Sequence, residues 1–298
     1  DRGGWSDYEA RLDLAELGRR TDAPAIPRYR GGEIRGRTLV LDAEQGYGDL
    51  LQCIRYVSVL ASRGATVIVR ASPAIASLVR SVPGVADVVA PDAMPRADLW
   101  LPLMSLPGVL DADPQGGPPD PPYVFADPAR VATVRAALAG VPARLRVGLS
   151  WAGNPVQANN RRRSCPLAAL APLLEQRDIA WYSLQRVDGE EQVASVPAAR
   201  SLRQLEARND FADKAALIEA LDLVISVCTS NAHLAGALGR PLWILLPYSA
   251  DWRWGIDGAT SAWYPSARLF RQPSPGDWSA VVAQVSRALD AMPVPASP

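Results

Sequence analysis

LDLVISVCTSNAHLAGALGRPLWILLP, residues 221–247, spells a strand, a turn, a helix and a second strand in consecutive letters. Leu221–Val227 is a short apolar run rich in branched residues, the composition of a strand buried on both faces of a parallel sheet. Thr229, Ser230 and Asn231 are N-cap types, each able to accept from a free N–H of a first helical turn. Ala232–Leu238 reads as a short helix. Gly239 suits its C′ position, where a left-handed backbone costs glycine nothing. After Pro241, LWILLP begins the next strand. The turn therefore lies at the carboxyl end of a strand, the edge at which open α/β sheets bind ligands. A helix start there offers free N–H groups and about half a positive charge, which suits a phosphate. His233, the only histidine in the chain, would add a donor one turn in. The bland alternative is a hydrogen-bonded structural histidine, and this segment alone leaves both readings open.

The same grammar recurs on either side. RTLVLD (37–42) is a strand and AEQGYG (43–48) a glycine-containing turn. Residues 49–62 form a helix with Leu50, Ile54, Val57 and Ala61 on one face. Gly64 ends it. The strand ATVIVR, a helix in SPAIASLVRSVPG, and the strands VADVVA and ADLWLPL follow. That is βαβαβ, which predicts a doubly wound parallel sheet. A helix over 127–139 has Asp127 as cap, Pro128 at its first position and Gly140 at its end. Beyond it, strands at 146–151, 180–185, 221–227 and 242–246 alternate with helices near 166–176, 211–220 and 231–238. The expected division is a leader (1–36), a Rossmann-like domain (37–142), a second one (143–276), and a helix with a tail (277–298). That last helix is able to pack back on the first domain. Two such domains facing each other make a cleft between carboxyl strand ends, the default binding site. The proline-rich stretch 113–122 reads as a long surface loop, and 293–298 as a frayed end.

Bulk composition narrows the function. A chain of 298 residues, 48% hydrophobic and 21% charged, is long enough for two domains with real cores. A formal net charge of +0 argues against a nucleic-acid binder that lives on counterion release. Cys53, Cys165 and Cys228 are scattered, which suggests reduced thiols and a cytoplasmic protein. One histidine and no CxxC spacing make a zinc site a poor reading. No run approaches the length of a membrane span, and no signal peptide is visible. The chain does not begin with Met, so a longer parent is expected. Lys214 is the sole lysine, which reads as genome composition. A dinucleotide fingerprint fails: Gly46 and Gly48 begin it, but Leu51 holds the third glycine position. No P-loop, GxSxG elbow or HExxH is present.

Seven stretches, in order, resemble one family. They are EQGYGDLLQCIRY (44–56), RVGLSWAGNP (146–155), NNRRRSCPL (159–167), WYSLQ (181–185), the segment 221–247, DWRW (251–254) and SAWYPSARLFRQ (261–272). Together they are similar to bacterial glycosyltransferases found behind tetratricopeptide repeats, relatives of the lipopolysaccharide heptosyltransferases and, more distantly, of O-GlcNAc transferase. The resemblance runs from about Trp5 to Trp278. It implies a GT-B fold with an acceptor domain first and a nucleotide-sugar domain second, and tetratricopeptide repeats upstream. It implies an inverting transferase with no cofactor beyond its nucleotide-sugar co-substrate, acting on a protein or saccharide acceptor. No metal is called for, because arginines and a helix end can neutralise a diphosphate.

By resemblance, Asp49 is the general base that takes the acceptor's proton, with Glu44 and Asp42 in reserve. Such a base typically contributes ~10²–10⁴ in rate. The alternative for Asp49 is a helix cap or charge match worth ~0.3–1 kcal/mol. Glu44, Gln45, Gly46, Gly48 and Gln52 fall on the acceptor side. Asn154 and Asn159 suit sugar hydroxyls, Arg161 and Arg163 a diphosphate, and Ser164 adds a hydroxyl. Gln185, at a strand end, suits a base or ribose. In DWRWGIDGATSAWYP, Asp251 and Arg253 can pair, while Trp252, Trp254, Trp263 and Tyr264 offer faces to a sugar or base, or else form a satellite core. His233 is placed to grip the leaving diphosphate with Thr229, Ser230 and Asn231.

Three positions depart from the family pattern. Cys228 stands where the family has Asp, Gln157 where it has His, and Asn160 where it has Asp. The alternative is thus a catalytically silent GT-B protein that binds or scaffolds. A non-hydrolysing epimerase resembles the chain in fold but not in these motifs.

Overall fold

The computed structural model describes residues 3–13, 25–113, 120–157, 159–186, 188–205 and 210–293. Residues 114–119 of the proline-rich stretch and 294–298 of the tail lie outside these. The chain divides into two compact units. One runs through Ala126 and takes in Asp210–Ala212; the other runs from Asp127 through the remainder. The helix Pro128–Leu138 thus counts with the second unit, where Arg130 pairs with Asp213 at 2.6 Å. The break precedes that helix; the sequence had suggested one after it.

In the first unit, β1 (Thr38–Asp42), β2 (Thr66–Arg70), β3 (Val85–Val89) and β4 (Leu99–Pro102) form a parallel sheet in the order β3-β2-β1-β4. Leu39, Val40 and Leu41 on central β1 are fully buried, each worth ~1.5–3 kcal/mol of apolar burial. Strand order reverses between β1 and β4, so the turns after these two strands flank a topological switch point. The helix expected over 49–62 is Tyr47–Cys53, a 3₁₀ turn Ile54–Tyr56 and Val57–Ser62.

The described part of the leader is packed into this unit. Trp100 N donates to Pro27 O at 3.1 Å, and Tyr29 N to Trp100 O at 2.9 Å, so residues 27–29 run parallel along the outer edge of β4. Tyr29 and Ile34 are buried, and the Trp5 indole donates to Ala112 O at 2.8 Å.

In the second unit, β5 (Leu145–Ser150), β6 (Ile179–Ser183), β7 (Leu223–Val227), β8 (Leu242–Leu246) and β9 (Ala267–Arg271) are parallel in the order β6-β5-β7-β8-β9. Every residue of β7 and β8 is buried, as their uninterrupted apolar runs require. β9 was not expected. Its sequence ARLFR carries two arginines, and it tolerates them because it is the edge strand. Exposed Arg268 lies over Phe270 at 4.8 Å and Trp243 at 5.7 Å. The helix Trp278–Asp290, capped by Asp277, sets Val281, Val282, Val285 and Leu289 among Leu167, Leu170 and Leu173 of the second unit's core. It therefore belongs to that core, although the sequence had left it able to reach the first domain. Here the switch point lies between β5 and β7. Among the described residues, no helix is long and apolar enough to cross a membrane.

Candidate functional site

The second unit gathers its polar residues where β5 and β7 end. Gln185 is buried there, and its Oε1 accepts from Ser150 Oγ (3.2 Å), Trp151 N (3.2 Å) and Ala152 N (3.1 Å). Its Nε2 donates to Ala152 O at 2.9 Å and to Asp188 O. Both ends of the amide are thereby used. Gln185 clamps the strand-end loop in place and has no group left for a base or ribose, which corrects the role expected of it.

Asn231 is also buried. Its Nδ2 donates to Ser150 Oγ (3.0 Å) and Leu184 O (3.1 Å), while its Oδ1 has no partner among the described residues. One acceptor is therefore left unspent at the switch point. Thr229 caps the helix Ser230–Ala237, its Oγ1 accepting from Asn231 N at 3.3 Å. Ser226 Oγ lies 3.1 Å from the same hydroxyl. Ser150 and Ser226 were missed as site residues. A small polar residue at or near the last position of an otherwise apolar strand is the signal that would have found them.

The arginine-rich loop reaches this place through one residue. Arg163 Nη1 donates to Cys228 O at 3.1 Å, one residue before the helix cap, and its Nε to Asn160 Oδ1 at 3.4 Å. Gly153 makes room: a Cβ there would lie 2.5 Å from both Arg163 Nη2 and Asn160 Oδ1. Ser164 Oγ bridges Gly153 N and Asn160 Oδ1, each at 3.1 Å. Arg161, Arg162, Asn154, Gln157 and Asn159 are exposed on the rest of the loop. The structure thus brings together Arg163, Ser164, Cys228, Thr229 and Asn231, with Ser230 partly buried beside them.

The aromatic loop is mostly core. Trp254, Trp263 and Tyr264 are buried, and Trp252 alone offers surface, at 44% exposure. Arg253 binds both carboxylate oxygens of Asp251 (3.0 and 3.1 Å) and lies over the Trp252 ring at 4.9 Å. The Trp254 indole donates to Cys228 Sγ at 3.0 Å. Burial pushes the Cys228 thiol up, partly opposed by that bond, so it is no poised thiolate. His233 is 5% exposed, its ring 5.3 Å from that of Trp254. Its Nδ1 shares a 2.9 Å hydrogen bond with Tyr264 OH. The ring is thus held against Tyr264 and Trp254.

In the first unit, Asp49 sits at the third position of its helix. Its Oδ2 accepts from Gly46 N at 3.0 Å. Gly46 is exposed, Gly48 and Asp49 are partly exposed, and Gln52 is buried on the inner face. The other two carboxylates are buried in ion pairs, Asp42 with Arg70 (2.9 Å) and Glu44 with Arg11 (2.9 Å). Burial pushes both carboxyls up, against the pull of their arginines. Gln45 accepts from Tyr8 OH at 3.1 Å. Of the three, Asp49 is the carboxylate that is partly exposed. Among the described residues, no three His, Cys, Asp or Glu side chains gather as a metal-ligand group.

No protein-family model matches the sequence. Protein FlbA of Caulobacter vibrioides is 28% identical over 314 residues, an alignment that covers 96% of this chain and 52% of FlbA. The chain thus spans about half the length of that relative. The glycosyl transferase family 9 structure from Veillonella parvula superposes with a TM-score of 0.62 at 10% identity, covering 87% of this chain and 98% of that one. ADP-heptose lps heptosyltransferase II of E. coli superposes with a TM-score of 0.58 at 15% identity, over 85% and 98% of the two chains. The dodecameric, iron-containing glycosyltransferase TibC of enterotoxigenic E. coli gives 0.55 at 11% identity, over 87% and 78%. At such identities the likeness is one of architecture: two parallel-sheet α/β units, the GT-B fold of these glycosyltransferases.

Proposed function

We propose that the chain is an inverting, metal-independent glycosyltransferase that moves a sugar from a nucleotide-sugar donor to a hydroxyl of a protein or saccharide. The observation that carries this reading is Arg163, held against Cys228 O beside the capped start of the helix Ser230–Ala237. A guanidinium and a helix N-terminus at one switch point suit a leaving diphosphate, whose charge they would neutralise without a metal. Asn231 Oδ1 supplies an acceptor nearby. Asp49 is the proposed base. It would take the proton of the acceptor hydroxyl as the hydroxyl oxygen attacks the anomeric carbon and the nucleoside diphosphate leaves with the bonding pair. His233 holds Tyr264 and Trp254 in place behind the helix start, and any contact with the diphosphate falls to Arg163, Thr229 and Ser230.

One solved heptosyltransferase of this architecture, WaaC of E. coli, is described both with ADP and with ADP-2-deoxy-2-fluoro heptose, so an ADP-linked sugar is the first donor to try. Upstream tetratricopeptide repeats and a cytoplasmic location belong to the same proposal. The second reading, a silent binding protein, is favoured by one observation: the position at which the resembled family has Asp is here Cys228, buried and bonded to Trp254. Calorimetric titration with ADP, UDP, GDP, CMP and dTDP separates the readings. Micromolar binding of one nucleotide supports a transferase, and no binding by folded protein supports the silent alternative.

A further inference from the structure

The leader carries an ion cluster whose place in the fold gives it a task. Arg11, 7% exposed, donates from Nη2 to Glu44 Oε1 at 2.9 Å and to Ser105 Oγ at 2.8 Å. From Nη1 it donates to Glu9 Oε1 at 2.9 Å and Tyr8 O at 3.1 Å. Arg28, from the leader's second half, donates to Glu9 and, at 3.1 Å, to Ser105 Oγ. Glu44 also accepts from Met104 N at 3.3 Å. Glu44 belongs to the turn after β1, and Met104 and Ser105 to the turn after β4. The Arg11 guanidinium therefore fills the first unit's switch point, the crevice that open sheets leave for a ligand.

The two turn residues it reaches, directly or through Tyr8, are Glu44 and Gln45. The next residue is Gly46, whose N–H is bonded to Asp49 Oδ2. Only Ala43 separates Glu44 from the end of β1. Two buried charges are a costly way to hold a segment down, since an apolar pair does so without desolvation. What a guanidinium adds is direction, a planar fork whose Nη2 arm holds Glu44 and Ser105 while its Nη1 arm holds Glu9 and Tyr8 O.

We infer that the described leader residues, 3–13 and 25–36, form a fixed wall of the acceptor side, and that Arg11 is a positioning residue for the turn that presents Asp49. The role assigned to that turn rests on the proposed function. The crevice between β1 and β4 is closed to the acceptor, which approaches over Gly46–Asp49.

Hydrogen exchange on the whole chain, read by mass spectrometry, tests the positioning. In Arg11→Ala, peptides over 43–51 should exchange at least about tenfold faster, while those over β1 and β2 keep their wild-type rates. Arg11→Lys, which retains a charge for Glu44 but not the fork, should fall between. Tyr8→Phe removes the hydroxyl that bonds Gln45 and should quicken the same peptide a few-fold; it serves if Arg11→Ala does not fold. A second arm follows ADP release from ADP-heptose. There Arg11→Ala should lower kcat about tenfold or more with the donor KM unchanged. Unchanged exchange over 43–51, or equal acceleration throughout the first unit, overturns the inference. Wild-type protein that turns over no nucleotide sugar sinks the proposed function instead, and the exchange pattern still decides whether Arg11 holds the turn.

Discussion

The Tyr264 hydroxyl lies 2.9 Å from Nδ1 of His233, across a helix whose Gly236 leaves room for the tyrosine ring. A Cβ on Gly236 would meet that ring at 2.5 Å, and the ring is wholly buried. Gly236→Ala should therefore cost about 1–3 kcal/mol by overpacking. Tyr264→Phe keeps the ring but loses the buried bond, at about 1–2 kcal/mol. Urea unfolding measures both. If His233 is structural, both variants that still fold keep near-native nucleotide affinity.

Arg163 is the cation at the helix start, so its loss should fall on the diphosphate. Charge-assisted hydrogen bonds of about 1.5–3 kcal/mol convert to roughly 10–100-fold weaker nucleotide binding in Arg163→Ala. Arg162→Ala, on the exposed side of the loop, should bind as wild type. An equal loss in both variants would mean that the loop acts as a diffuse positive surface.

Gly153→Ala tests the same cation by displacement. The atoms its Cβ would crowd are the ends of the Arg163 and Asn160 side chains, which can move aside. Thermal stability should change little while nucleotide affinity falls about as far as in Arg163→Ala. A large drop in Tm with intact affinity would contradict this.

Asp49→Asn retains an acceptor for Gly46 N and removes the base. Transfer should fall by ~10²–10⁴ with donor affinity unchanged. Rates near wild type, measured as nucleotide release with a competent acceptor, would remove Asp49 from the mechanism.

Burial, with help from Arg186, lowers the Lys214 pKa to about 8, and Glu190 offsets this only in part. A lysine whose folded pKa lies below its unfolded value favours the unfolded state wherever the latter holds the extra proton. Stability should therefore rise with pH between about 8 and the ordinary lysine value of 10.5. Buried Tyr56 and Cys165, whose pKa values are pushed up, work the other way at the alkaline end. The cleaner quantity is the difference between wild type and Lys214→Met. That difference should favour the variant by on the order of 1–3 kcal/mol at pH 7 and shrink as pH climbs past 8.

What could be read from the letters was what periodicity and caps encode. The segment 221–247 appears as β7, a Thr229-capped helix and β8 because its strands are unbroken apolar runs and its turn holds a good cap. β9 escaped because an edge strand can carry arginines, which blurs the apolar pattern. The site was legible as a neighbourhood and less so as individual roles. Nothing in the sequence shows that Gln185 spends its whole amide inside the protein, since all its partners but the Ser150 hydroxyl are backbone groups that every residue possesses. Arg11 was equally silent, one arginine among many, and only the closeness of the turns after β1 and β4 gives it a place.

Residues 27–29 lie along the outer edge of β4 and take up hydrogen-bonding groups of Trp100 that would otherwise face water. A strand edge with open amides and carbonyls is a template for another chain. A fragment cut just before β1 would keep all four strands yet bare that edge. It should be prone to pair with itself and to precipitate at concentrations where the longer chain stays monodisperse. Where this protein is divided for study or fusion, the cut belongs upstream of the leader.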